Sequence, residues 1–307
     1  MPSKNHSYDA VVIGGGAAGL SAALTLGRSR RRVLLATCGP PRNAPSHAAH
    51  NVFTRDGTPP AELLRIGREQ LGPYDVDVRD ECVTDAQSTG SEYTVRLDSG
   101  EFRARGLILA SGVRDVLPEV PGFEELWGTG VFHCPYCHGW EVAGRPLAIY
   151  GKGEAALHFA KLLRGWSDDL ILFTDGPSEL SPEDEELIRS NGIAIRDDPV
   201  ERLAGSHELE AIVMKSGEVI PRAGVFVRPK QELRSDLPVR LGCELTPDGK
   251  VKGDVLGRTT VPRVFVAGDA GPAQQAVIAA AASGAAAGAG LNFDLLDEDF
   301  GSARPGS

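Results

Sequence analysis

Tyr8-Asp9-Ala10-Val11-Val12-Ile13-Gly14-Gly15-Gly16-Ala17-Ala18-Gly19 is the stretch that decides the fold. Its first six residues end in an apolar run and predict a short buried strand, and the glycines after it stand at Gly-x-Gly-x-x-Gly spacing. Leu20 to Gly27 predicts an Ala/Leu-rich helix, and Arg32-Val33-Leu34-Leu35-Ala36 a second strand. Strand, glycine turn, helix and strand in that order form a dinucleotide-binding unit. Gly14 permits the tight turn, Gly16 lets the backbone approach a pyrophosphate, and Gly19 lets the helix pack closely on the sheet. The helix N-terminus faces the phosphate charge. An acidic residue usually ends the second strand and binds a ribose. Thr37 and Cys38 stand there instead, and the Thr37 hydroxyl is a weaker partner than a carboxylate.

Further along, Gly39 to Asn43, which includes Arg42, predicts a turn, and His47 to Gly57 a polar loop that either covers a cofactor or substrate or is simply solvated. Pro60 to Leu71 has helical apolar spacing, and Val76 to Val83 predicts a strand. Tyr93–Leu97 and Glu101–Ala104 alternate across Asp98-Ser99-Gly100 as a hairpin. Gly106 to Gly112 predicts a separate buried strand whose small end, Ala110-Ser111-Gly112, suits a backbone packed against a large flat ligand. Near the C-terminus, Val261 to Ala270 delivers Gly268-Asp269 to a helix from Gln274 to Leu291. That helix is nearly all Ala and Gly, so it must pack very closely against something. Asp269 is placed to hydrogen-bond a cofactor hydroxyl or, alternatively, to cap the helix. Gly301 to Ser307 predicts a disordered tail.

The chemistry centres on His133-Cys134-Pro135-Tyr136-Cys137-His138-Gly139-Trp140-Glu141. Two cysteines three positions apart close a small disulfide ring, which stores two electrons when opened. The reactive species is the thiolate, and His133 or His138 can take a proton from it near neutral pH. The same spacing is half of a zinc site. A zinc site needs a second ligand pair, and the chain offers only scattered Cys38, Cys82 and Cys243, so no metal is expected. The chain is only 6% aromatic, yet Trp127, Phe132, Tyr136 and Trp140 surround this motif. They either wall an apolar pocket or pack a hinge.

A second strand–glycine–helix–strand follows at Pro146–Tyr150, Gly151-Lys152-Gly153, a helix to Leu163, and Leu170–Thr174. Ala156 replaces its third glycine. Between Gly165 and Leu187 there is no Arg or Lys to neutralise a 2′-phosphate, whereas Asp168, Asp169, Asp175, Glu179, Glu183, Asp184, Glu185 and Glu186 crowd the segment. That field disfavours NADPH. It leaves either an NADH site, with Asp175 on the ribose, or a degenerate remnant.

At 307 residues the chain accommodates two domains, and 41% apolar content with 37 glycines fits an α/β protein. A net charge of −10 argues against nucleic acid and anionic membrane as partners. No apolar run is long enough to span a membrane. Met1 to Tyr8 is polar and runs directly into a strand, so no secretory leader is expected. Five cysteines with one close pair do not predict a secreted disulfide framework, and a cytoplasmic enzyme is expected.

The three motifs in this order resemble low-molecular-weight thioredoxin reductases over nearly the whole chain. The resemblance implies an α/β fold of two Rossmann-like domains. An FAD domain comprises residues 1–117 and 245–307, a Cys-x-x-Cys domain of residues 118–244 is inserted in it, and the enzyme is a homodimer. Its implied FAD contacts fall on Gly14, Gly16, Ala17, Ala18, Gly19, Thr37, Arg42, Asn51, Val83, Ser111, Gly112, Gly268, Asp269, Gln275 and Ala276. Asp269 is implied to meet the ribityl chain and Gln275-Ala276 the isoalloxazine ring. Cys137 becomes the cysteine next to the flavin and Cys134 the one that exchanges with substrate. Two departures redirect the reading. His138 stands where the reductases carry a proton-donating Asp, and the arginines of an NADPH site are missing. Cys-Pro-Tyr-Cys-His-Gly with these losses is similar to the flavin-dependent dithiol oxidases of holomycin, gliotoxin and romidepsin biosynthesis, the holomycin type nearest. That resemblance implies a small-molecule dithiol substrate and oxygen as electron acceptor. The alternative is a disulfide reductase fed by NAD(P)H or another donor. A redox sensor acting through a partner finds no support in any appended domain or basic patch.

Overall fold

The apolar run of Ser7–Ile13 forms β1 in the computed structural model, which describes residues 7–302. Then come α1 (Ala17–Arg28), β2 (Val33–Ala36), α2 (Pro60–Glu69), β3 (Val76–Arg79), β4 (Asp85–Ser88), β5 (Tyr93–Leu97), β6 (Gly100–Leu109) and β7 (Val113–Val116). Next are β8 (Val131–Phe132), α3 (Pro135–His138), β9 (Leu147–Tyr150), α4 (Gly153–Leu163), β10 (Leu170–Phe173), α5 (Pro182–Ser190) and β11 (Ala194–Arg196). A meander of β12 (Val200–Gly205), β13 (Leu209–Met214) and β14 (Val219–Pro221) precedes β15 (Gly224–Val227) and β16 (Lys230–Leu233). The chain closes with α6 (Leu237–Arg240), β17 (Val264–Val266), a 3₁₀ turn at Gly268–Ala270 and α7 (Val277–Ser302).

Two compact units result. The first takes the chain through Ala44, then Val52–Arg114, and again from Gln231 onward; the second holds Pro45–Asn51 and Asp115–Lys230. Residues 231–244, expected in the inserted domain, therefore pack with the first unit, because α6 lies against β4 and Arg240 reaches Asp85 at 3.0 Å. Asn51 falls in the second unit.

In the first unit the sheet runs β3-β2-β1-β6-β5-β4, with β17 also paired to β6. β1, β2, β3, β6 and β17 are parallel, and β4 and β5 complete it antiparallel. The hairpin arm at Glu101–Ala104 and the strand from Gly106 are one ten-residue strand, β6. On the edge away from β1 its first half pairs with β5 and its second with β17, so one edge serves two neighbours. Gly106 sits at the changeover, where a Cβ would meet Arg263 O at 2.9 Å. β4 was not foreseen, and β3 stops at Arg79, short of Val83.

The Ala/Gly helix finds its partner in α1. A Cβ on Gly284 would overlap the Ala18 carbonyl, and one on Gly288 would reach the Ala22 oxygen at 2.9 Å. Ala22, Leu26, Phe265, Leu291 and Leu295 fill the core on that face. α7 begins at Val277 rather than Gln274 and continues well past Leu291. Its polar end is held by arginines: Arg31 to Asn292 at 2.8 Å and to Asp299 at 2.7 Å, and Arg258 to Asp294 at 2.7 Å. Of the expected tail, Gly301 and Ser302 are therefore helical and the rest lies outside the described residues.

The second unit carries a five-stranded parallel sheet, β11-β10-β9-β15-β8, and the β12-β13-β14 meander. β12 was missed because its exposed Glu and Arg dilute the alternating pattern. Among the described residues no helix is long and apolar enough to cross a membrane.

The cysteines bring a correction. Cys38 and Cys82 are disulfide-bonded, with Cα atoms 5.0 Å apart. The pairing was invisible in sequence because parallel strands β2 and β3 align their ends across a sequence separation of 44. Cys243 is buried and free, its thiol pushed up by burial.

Close helix packing is checked by urea unfolding. Gly284→Ala is expected to lose about 1–3 kcal/mol by overpacking. Gly301→Ala, whose added Cβ meets nothing, is expected to change stability by less than about 1 kcal/mol.

Candidate functional site

The Cys134–Cys137 pair is built by local geometry. β8 ends at Phe132, and Cys134 remains extended at φ −131°, ψ 108° as the N-cap of the one-turn helix α3. Pro135 occupies the first helical position, where a missing N–H costs nothing. The turn then folds back: Cys137 and His138 both donate backbone N–H groups to the Cys134 carbonyl, at 3.1 and 3.2 Å. The two Cα atoms come within 5.3 Å and the sulfurs bond. Both cysteines are half-buried.

Gly139 ends the turn with no room for a side chain, since a Cβ would lie 2.8 Å from Trp166 Nε1. Trp166, absent from the residues read as significant, packs edge-on to Tyr136 at 5.7 Å. Tyr136 and Trp140 are 59% and 83% exposed, so apolar surface stands open beside the disulfide. Phe132 is buried and belongs to the wall behind it. Trp127 lies beside His133, ring centroids 5.8 Å apart.

The two histidines are unequal. His138 stacks on Phe132 at 4.8 Å, and both its ring nitrogens are buried without hydrogen-bond partners. Burial, then the nearby His50, lowers its pKa to about 4, so the imidazole is neutral in ordinary conditions. His133 is half-buried at the end of the strand. His50, from the His/Asn-rich loop, adds an ion pair with Glu141 at 3.3 Å.

The first unit holds the glycine cradle. Gly14, at φ 114°, turns with its α-carbon against Ala110, and Gly19 lies against the Gly14 carbonyl. Gly16 differs from both. It is the N-cap of α1, no side chain caps the helix, and a Cβ there would meet nothing within 4 Å. Ala17 and Ala18 form the first turn, which carries no acidic residue. Gly112, at φ 71°, also faces open space, next to Ser111. Thr37 is 8% exposed and its side chain packs under Gly15. Gly268 packs 3.0 Å from the Ala18 side chain, measured to an ideal Cβ. Asp269 lies in the 3₁₀ turn, well before α7, and so is not its cap. Arg42 holds it at 2.8 Å and also reaches Gln275 Oε1 at 3.1 Å. Gln275 pairs in turn with Gln231, and Ala276 follows just before the helix. Val83 packs partly buried against the sheet core. An open, uncapped helix start between small residues, with polar groups gathered at its rim, fits the pyrophosphate and ribityl parts of FAD.

The second glycine turn is occupied by its own chain. Gly153 N–H, at the start of α4, donates to the Ser178 carbonyl at 2.8 Å. Lys152 pairs with Glu179 at 3.8 Å. Asp175 receives the Tyr150 hydroxyl at 2.8 Å on one oxygen and the Val200 N–H at 2.9 Å on the other. The Tyr150 phenol is pushed up by burial and by that carboxylate. Among the described residues no group of His, Cys, Asp and Glu is arranged to hold a metal.

A nucleotide cradle and a Cys-x-x-Cys disulfide on two α/β units define a flavin-dependent thiol–disulfide oxidoreductase. The chain belongs to the pyridine nucleotide-disulphide oxidoreductase family, whose profile matches residues 8–285, and within it to the thioredoxin reductase-like flavoproteins, which bind FAD. It is 32% identical to thioredoxin reductase sirT of Leptosphaeria maculans, with 95% of this chain and 96% of that one aligned. It is 30% identical to thioredoxin reductase aclD of Aspergillus oryzae, over 95% and 98% of the two chains. The crystal structure of HlmI superposes with a TM-score of 0.91 at 39% identity, covering 97% of this chain and 95% of that one. An oxidoreductase from Agrobacterium tumefaciens gives a TM-score of 0.88 at 35% identity, over 94% and 99%.

Gly16→Val is expected to keep the fold yet weaken FAD binding more than tenfold, because about 1.4 kcal/mol of clash suffices for that factor; circular dichroism and flavin titration check it. His138 titrates near 6.5 when unfolded and about 4 when folded. Its contribution to stability is thus complete above pH 6.5 and lost as the pH falls toward 4. His138→Phe is expected to remove about 2–3 kcal/mol of the stability difference between pH 7 and 4.5 in urea unfolding.

Proposed function

We propose that this flavoenzyme oxidises a small-molecule dithiol to an intramolecular disulfide. The observation that carries the reading is the self-filled second glycine turn: the N–H of Gly153, Lys152 and both oxygens of Asp175 have partners within the chain. The groups that a reductase would turn toward a nicotinamide nucleotide are engaged, while the cradle at Gly16 stands open. The exposed rings of Tyr136 and Trp140 beside the disulfide suit a small apolar substrate rather than a charged one.

A substrate thiolate attacks the Cys134 sulfur, breaks the Cys134–Cys137 bond and leaves a mixed disulfide with Cys137 as thiolate. The second substrate thiol displaces Cys134, and the substrate departs as a cyclic disulfide. Two electrons now reside on the Cys134–Cys137 dithiol. Gly14, Gly16, Thr37, Asp269 and their neighbours would hold FAD, which would supply two-electron acceptance for this dithiol, and the reading takes oxygen as the final acceptor. His133 takes the proton from the attacking thiol; its place directly before Cys134 supports this, whereas His138 is held neutral in a pocket without partners. His138 serves to pack the turn against Phe132.

The reading includes a cytoplasmic homodimer. Phe293, Leu296 and Phe300 are 55%, 48% and 76% exposed at helical spacing on α7, an apolar stripe suited to a second copy.

Anaerobic mixing of holoenzyme with reduced small dithiols is expected to bleach the flavin, with oxygen restoring it. NADH and NADPH are expected to leave it oxidised over the same time, and rapid bleaching by either favours the reductase instead. Cys134→Ser and Cys137→Ser are each expected to abolish dithiol oxidation. His133→Ala is expected to slow it about 10²–10⁴-fold and remove the neutral limb of the pH–rate profile, with His138→Phe retaining that limb.

A further inference from the structure

Cys38 and Cys82 take no part in the chemistry at Cys134 and Cys137, yet their position is not arbitrary. Thr37 and Cys38 directly follow β2, and Cys82 lies three residues after β3. These strands are parallel neighbours, so their carboxyl ends lie side by side. The ladder finishes with Thr37 N–H donating to Arg79 O at 2.9 Å, and the disulfide sits one residue beyond. In open α/β sheets the ligand lies outside the carboxyl ends of the strands, and the segment after the second strand meets the ribose of the adenosine half. Past Cys38 the same loop brings Arg42 to Asp269 at 2.8 Å. The bond therefore ties together the two segments that wall the adenosine end of the FAD cradle. Both cysteines are exposed to solvent, and access is a principal determinant of disulfide exchange.

We propose that Cys38–Cys82 is a second thiol-reactive site, one that takes small dithiols and, through its redox state, sets how tightly the chain retains FAD. One thiolate of the dithiol attacks either cysteine sulfur, breaking the Cys38–Cys82 bond and forming a mixed disulfide while the other cysteine leaves as thiolate. The second dithiol sulfur then displaces the protein and departs in a cyclic disulfide. The dithiol is oxidised by two electrons, the protein disulfide is reduced by two, and the two protons end on Cys38 and Cys82. With the bond open, the loop bearing Thr37 and Arg42 keeps its strand-end hydrogen bond but loses its covalent tie. By linkage, bound FAD favours the oxidised pair to the same degree. The inference rests on the cradle and not on the dithiol oxidase reading.

The test uses FAD-loaded Cys134→Ser/Cys137→Ser protein, in which Cys38–Cys82 is the remaining disulfide, with dithiothreitol as the small dithiol. Alkylation and mass spectrometry are expected to find Cys38 and Cys82 blocked before treatment and free after it. FAD release, followed by fluorescence after dilution, is expected to quicken about tenfold on reduction, as loss of a preorganising tie implies. Adding Cys38→Ser/Cys82→Ser is expected to give the fast release without dithiothreitol and no response to it. Should that fourfold variant not fold, the reduction arm on the folded parent decides alone. Cysteines found free in the untreated protein, a disulfide that resists millimolar dithiothreitol in the folded state, or complete reduction without faster FAD release would each overturn the proposal.

Discussion

The contact between the backbone of α1 at Ala18 and α7 at Gly284 is the constraint on which the first unit depends. A helix pair can approach this closely only where one partner carries no side chain at the crossing and the other a small one, and Gly284 and Gly288 against Ala18 and Ala22 meet that condition. The approach has a consequence beyond packing. α1 starts at the glycine cradle, and α7 follows the turn at Gly268-Asp269, so seating one helix on the other brings two chain segments from opposite ends of the sequence to one place. Gly268 against Ala18, and Arg42 on Asp269, are the polar and steric completion of that arrangement. The many arginine–carboxylate contacts along the later turns of α7 hold a helix end that alanine content alone leaves polar and exposed.

The two glycine turns show how one motif serves two ends. Each has a strand, an uncapped helix start and a following strand. In the first, small residues leave open space at Gly16, the start of α1. In the second, the chain has turned its own Ser178, Glu179 and Tyr150 onto the groups that otherwise greet a nucleotide. Because the Gly153 N–H, Lys152 and Asp175 already have partners, a nucleotide entering there must first break those contacts, which reduces the advantage of binding. The acidic N-terminal turn of α5 adds repulsion of the same sense.

At the disulfide, burial separates two histidines of identical chemistry. A stacked imidazole without hydrogen-bond partners cannot keep a proton in that environment, so His138 acts as an apolar ring. His133 precedes the same turn, half-buried beside Trp127. Tyr136 and Trp140 leave apolar surface exposed beside that turn.

Local patterns carried much of this protein. The first βαβ unit, the Cys-x-x-Cys turn, the Ala/Gly helix and the loss of phosphate-binding arginines are all statements about residues close in sequence, where propensity, spacing and charge act directly. Other features required the tertiary structure. Glu101–Ala104 and the strand from Gly106 became one strand because β5 and β17 flank its two halves. Cys38 found Cys82 because two parallel strands end together. His133 and His138 look alike in sequence, and burial of the His138 ring, stacked on Phe132, distinguishes them. Burial and the alignment of distant strand ends are properties of the assembled sheet and belong to no single segment of the chain.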